Sequence, residues 1–200
     1  MKLFINIIIA LILLFKGVYT YSFADGLIPE RILGDPTAKI TIEEYASLSC
    51  GHCANFHNEA LAEIKKEYID TGKAKLIFHD FPLDRTAMYG SMVSQCMTEG
   101  QYFPVLSRLF RKQMDWVQSR NLDELSQAIY STLKPLGIDK NKITSCLEDN
   151  TENNERWEAL LKNRKIAMEE REIESTPTFF VNGKRIKGKF NLQSFKKNID

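Results

Sequence analysis

The sequence predicts an α/β protein in which an all-helical subdomain is inserted between two parts of a sheet. Three observations carry this. A strand–helix–strand pattern runs from Lys39 to Asp80, which implies parallel strands joined by a right-handed crossover. From about Arg85 to Arg171 only helical spacing is found. After Ser175-Thr176-Pro177 a strand pattern returns and turns back on itself.

The chain opens with Met1-Lys2 and an apolar run from Leu3 to Phe15, interrupted only by Asn6. The run is shorter than the roughly 20 residues of a spanning helix. The small residues Ser22 and Ala24 then fit the positions a signal peptidase reads. Residues 1–24 are therefore expected to be a cleaved signal peptide, with the domain at 25–200. Of 27 Lys+Arg against 26 Asp+Glu, the leader holds Lys2 and Lys16 and no acid, so the mature balance is 25 against 26. With no basic excess to neutralise phosphates, nucleic acid is not the expected partner. Export would place the cysteines where disulfides form and persist.

Asp25 to Ala38 reads as a lead-in with turns at Gly26, Pro29, Gly34 and Pro36. Lys39 to Ala46 alternates as a strand whose one face carries Ile40, Ile42, Glu44 and Ala46, an odd company for an acid. Phe56, Ala60, Ile64 and Tyr68 recur every four residues along the following helix, and Gly72 stands where its C-terminal cap belongs. Ala74 to Asp80 is the second strand, stopped by Pro82. In the helical stretch, Met88, Met92 and Cys96 share a spacing. So do Leu106, Phe110 and Met114, then Leu125, Ile129 and Leu133, and finally Trp157, Leu160, Leu161 and Met168. These stripes read as helix packing. Thr178 to Val181, Asn182-Gly183 and Lys184 to Ile186 form a β-hairpin signal. Phe190 to Lys197 closes the chain as a short helix.

Cys50-Gly51-His52-Cys53 sits at the junction of the first strand and the helix. The unpaired N–H groups and dipole of a helix N-terminus favour an anion, so a thiolate at Cys50 is stabilised. Cys53, one turn further in, can close a small disulfide ring that is passed on by exchange. Cys50 is thus the expected nucleophile and Cys53 the resolving partner, with His52 as a second source of positive charge. A zinc half-site is the competing use of this spacing, but Cys96, Cys146, His57 and His79 supply no second pair at ligand spacing. A purely structural disulfide is the other, though so short a loop gains little entropy. Thr176-Pro177 opens a strand, and only an X–Pro bond adopts cis cheaply. From the residues alone trans remains the common form.

Taken in order, these pieces resemble the DsbA-like branch of the thioredoxin superfamily. They are Gly34-Asp35-Pro36, Thr41 to Ser47, Cys50-Gly51-His52-Cys53, His79 to Leu83, and Thr176 to Gly183, with the helical insertion before the proline. The resemblance implies a thioredoxin fold, a central mixed sheet flanked by helices. It implies that Cys50 and Cys53 are the redox pair and that His52 stabilises the thiolate. It further implies that Pro177 is a cis proline facing the pair, with the Thr176 backbone free to meet a bound peptide. Glu44 matches a buried acid that manages protons near the second cysteine. Gly51 stands where the best-known member has proline, a position that tunes redox poise.

With the active pair set aside, Cys96 and Cys146 remain, and a structural disulfide between them is the economical pairing in an oxidising compartment; two buried free thiols are the alternative. The expected activity is that of an exported, periplasmic, monomeric dithiol oxidase that introduces disulfides into other exported proteins, its substrates being reduced or misoxidised exported proteins. No metal, nucleotide or flavin is called for, and the resemblance implies reoxidation by a quinone-linked membrane partner of the DsbB type. A disulfide isomerase or reductase is the alternative enzyme, and a non-catalytic binding module or chaperone the alternative of another class.

Overall fold

The computed structural model describes residues 28–199, so the expected leader lies outside the described residues. Strand β1 spans Arg31–Leu33, β2 Ile40–Ala46, β3 Ala74–Asp80, β4 Thr178–Val181 and β5 Lys184–Arg185, in the sheet order β1-β3-β2-β4-β5. β2 and β3 run parallel, from Ile40 opposite Ala74 to Ala46 opposite Asp80. β4 lies antiparallel on the other side of β2, and β1 is antiparallel on the far side of β3. The sheet is therefore mixed. Ile42, Glu44 and Ala46 are all buried, as the alternation of β2 requires.

β1 is a difference from the sequence reading, which placed only turns in 25–38. Three residues are too few to show a period. Its formation rests on pairing with β3, with Arg31 opposite Phe78 and Leu33 opposite Leu76. In the hairpin, Asn182 and Gly183 have φ of 49° and 78°. A two-residue loop with both centres left-handed matches the right-handed twist of its strands, which is why Asn-Gly stands there.

Helix α1 covers residues 51–69, with α-helical turns at Gly51–Asn55 and Leu61–Ile64 and wider π turns at Phe56–Ala60 and Lys65–Ile69. In a regular helix a spacing of four drifts by about 40° per step. The π turns take up this drift, so Phe56, Ala60, Ile64 and Tyr68 all stay buried. Gly72, at φ 71°, ends the segment.

Five helices follow: α2 (Arg85–Gln95), α3 (Glu99–Arg111), α4 (Leu122–Leu133), α5 (Lys140–Leu147) and α6 (Thr151–Glu170). Asp84, Asn121, Asp139 and Asn150 cap four of them by accepting a backbone N–H three residues on. Leu106, Phe110, Ile129 and Leu133 share one core with Ile42, Phe56 and Phe179 of the sheet layer. Three expected core residues lie outside instead. Met114 is exposed because α3 ends at Arg111, and the chain turns through Gln113–Asp115 so that Gln113 and Trp116 go in. Leu161 and Met168 are exposed because α6 buries Arg156, Ala159, Leu160 and Ala167. Gly90 is a matter of space: a Cβ there would stand 2.8 Å from the Trp116 ring. Helix α7 (Leu192–Ile199) closes the fold with Phe195 buried. Among the described residues no helix is long and apolar enough to cross a membrane.

Candidate active site

The loop from β2 to α1 is held by hydrogen bonds from three directions. The Cys50 N–H donates to the Ser47 carbonyl at 3.0 Å, and the Leu83 N–H, from the loop after β3, donates to Ser47 Oγ at 3.2 Å. The buried Gln113 amide, arriving from the helical insertion, donates to the carbonyls of Leu48 at 2.8 Å and Cys50 at 3.0 Å. A glutamine after a helix carries no local signal of such a role, and the sequence reading missed it.

Cys50 is the N-cap of α1, with extended backbone, and its sulfur accepts the Cys53 N–H at 3.2 Å. The Cys50 thiol lies 3.4 Å from the Thr176 carbonyl oxygen. The Thr176–Pro177 bond is cis, and its carbonyl meets a sulfur 126 residues away in the chain. Hydrogen bonding from the Cys53 thiol, with the N–H groups of Cys53 and His52 adding to it, outweighs partial burial and lowers the Cys50 thiol to about 6. Cys53 is fully buried, and desolvation first, then its hydrogen bond to Cys50 and the Cys50 and Glu44 charges, push its thiol up. One sulfur is built to be an anion and its neighbour to stay protonated. Both are free thiols here.

Cys50 is only 9% exposed, more sheltered than expected of a nucleophile, because the Thr176 side covers it. His52 is exposed, and it acts on the Cys50 sulfur through its backbone N–H. Glu44 is fully buried and pairs with His57, whose Nε2 stands 3.0 and 3.1 Å from its two oxygens. The sequence reading weighed His57 only as a metal ligand without ligand spacing; nothing local links it to Glu44. Beside the cysteines, a groove of about 900 Å³ runs past Phe56, Pro177, Ile186 and Phe190. Cys96 and Cys146 are joined by a disulfide far along the insertion, with Cα atoms 5.8 Å apart. Among the described residues, no group of three or more His, Cys, Asp or Glu is placed to hold a metal ion.

A family profile described as Thioredoxin matches residues 27–200. The chain is 29% identical to alpha-DsbA1 of Wolbachia pipientis and superposes on its crystal structure with a TM-score of 0.75, covering 90% of this chain and 94% of that one. BdbD of Bacillus subtilis superposes with a TM-score of 0.72 at 21% identity, covering 89% and 92%, which speaks for the fold. In sequence, the chain is 28% identical over 172 residues to a Rickettsia bellii protein provisionally named a protein-disulfide oxidoreductase, and 25% identical over 183 residues to disulfide bond formation protein D of Bacillus subtilis. Each match takes in 86% of this chain, but only 63% of the first relative and 76% of the second. The chain thus spans less than two thirds of the length of the Rickettsia bellii relative.

Proposed function

We propose, from the premise that this chain belongs to the thioredoxin family and has its fold, that it is a thiol–disulfide oxidoreductase acting as a dithiol oxidase. The carrying observation is the Cys50 sulfur at the start of α1, which accepts the Cys53 N–H and is lowered to about 6 chiefly by the Cys53 thiol, beside a Cys53 pushed the other way.

A substrate thiolate attacks the Cys50 sulfur of the Cys50–Cys53 disulfide. The sulfur–sulfur bond breaks, its electron pair goes to Cys53, and a mixed disulfide forms at Cys50. A second substrate thiolate attacks the substrate sulfur of that bond, closes the substrate disulfide and releases Cys50 as a thiolate. A sulfur stable as an anion leaves readily, which drives donation. The substrate segment lies in the groove along Pro177, its backbone meeting Thr176. His52 lines that groove. Glu44 takes and returns the Cys53 proton, and the Cys96–Cys146 bridge is structural. The substrates are reduced exported proteins. Export follows from a signal peptide at 1–24, the site of action is the periplasm, and a quinone-linked membrane protein of the DsbB type reoxidises the monomer.

The test is alkylation of the reduced protein against pH, read site by site by mass spectrometry. Cys50 is expected to titrate near pH 6, with Cys53 unreactive. A Cys50 that reacts like an ordinary thiol, near pH 9.0, overturns the oxidase. Oxidation of a dithiol peptide without unscrambling of a mispaired protein separates oxidase from isomerase.

A further inference from the structure

The Glu44–His57 pair is the least explained part of the molecule. The His57 side chain is 2% exposed and that of Glu44 0%, so a buried charge is at stake. A buried carboxylate without a donor is unfavourable in so apolar a setting. Nε2 of His57 meets both carboxyl oxygens. Nδ1 is buried and has no hydrogen-bond partner, so no competing bond turns the ring away from Glu44. The ring is fixed by aromatic contacts: stacked on Phe110 at 4.0 Å, and edge-on to Phe56 and Phe78. His57 lies one turn beyond Cys53 on α1, and the charge of Glu44 reaches the Cys53 thiol.

The surroundings offer little else. Across the sheet Glu44 faces Phe78 of β3 and Phe179 of β4. From α3, Tyr102 feels the Glu44 charge, with Asp80 and Arg31 next to Tyr102. The two cysteines are titratable groups of the neighbouring turn of α1.

We propose that His57 is a positioning residue for the step in which Cys53 attacks a mixed disulfide on Cys50: it keeps Glu44 charged and aimed, so that Glu44 can accept the Cys53 proton. The inference rests on the oxidoreductase reading. In the step the Cys53 S–H bond breaks and its proton passes to a Glu44 oxygen. The Cys53 thiolate bonds to the Cys50 sulfur, and the partner sulfur leaves with the electron pair of the broken bond. Two electrons pass from the Cys50–Cys53 pair to the departing partner. Without His57, the buried Glu44 carboxyl loses the donor that meets both its oxygens and aims it.

The experiment mixes reduced protein with the aryl disulfide dithiobis(nitrobenzoate) in a stopped-flow instrument. One aryl thiolate is released when Cys50 is modified and a second when Cys53 displaces the aryl group. His57→Phe, which preserves the aromatic packing, is expected to slow the second release by about tenfold or more at neutral pH. The loss is recovered as pH rises, by about tenfold per pH unit, while the first release changes less than about twofold. His57→Gln, able to donate one bond to Glu44, falls between. In a Glu44→Gln background, adding His57→Phe produces no further slowing, because His57 acts only through Glu44. Equal second-phase rates and pH profiles in wild type and His57→Phe overturn the inference, as does additive slowing in the double variant. If His57→Phe does not fold, His57→Gln is judged by the same criterion. Carbon-13 NMR of glutamate-labelled wild type gives a reading without any variant: a protonated Glu44 in the reduced protein at neutral pH is the contrary result. A wild type that never releases the second thiolate contradicts the oxidoreductase reading itself, and so is told apart.

Discussion

The chain carries two cysteine pairs that share a chemistry and differ in almost everything around it. Cys50 and Cys53 are three residues apart at the start of a helix, one sulfur against the Thr176 carbonyl and the other fully buried. Cys96 and Cys146 are 50 residues apart, at the end of α2 and inside α5, with Cys146 fully buried and the two already bonded. The first pair has hydrogen-bond donors and a peptide carbonyl arranged around its reduced form. The second has helix packing on its flanks and closes a long loop. Whether a disulfide is cargo or scaffold is thus decided by what surrounds the sulfurs, since the bond itself is the same.

The contrast can be broken in several ways. Cys50→Ser removes the attacked sulfur, and oxidation of a dithiol peptide is expected to fall to the buffer blank. Cys96→Ala with Cys146→Ala is expected to cost up to about 4 kcal/mol in urea unfolding, the chain-entropy value for a loop of this length. The same double variant keeps the wild-type alkylation profile at Cys50; a shifted profile would mean that the bridge takes part in the chemistry. Gln113→Ala strands the Leu48 and Cys50 carbonyls, and is expected to cost about 2 kcal/mol and to raise the pH at which Cys50 reacts.

A last effect is a difference between redox forms. The folded Cys50 thiol stands at about 6 against an ordinary 9.0, so its contribution is fully present above pH 9.0 and fades as pH falls through 6. Cys53 is shifted upward, so its contribution is held below its ordinary 9.0 and lost above it. Between the two values only Cys50 changes the balance. The reduced protein is therefore expected to gain stability relative to the oxidised one as pH rises across that window, in paired urea titrations of the two forms.

Much of the site was readable because it is local. The start of α1 at Cys50 follows from the strand that ends at Ala46 and from N–H groups within one turn. The buried face of Glu44 follows from a period of two, and the hairpin from Asn182-Gly183. The inserted helices were readable from their spacing, but Met114, Leu161 and Met168 were not, since a stripe of apolar residues does not say where a helix stops or which side of it meets the core.

The residues thus decided for themselves whatever depends on neighbours a few positions away: helix ends, strand faces, the turn, and the dipole that favours an anion at Cys50. Packing alone decided the rest. It set the Thr176 carbonyl against the Cys50 sulfur, the Gln113 amide on the active-site loop, β1 on the edge of β3, and His57 beneath Glu44. These partners lie 13 to 126 residues apart. No hydrogen bond or periodicity links them until hydrophobic burial has folded the sheet and helices onto one core, and only there does a buried carboxylate need a partner.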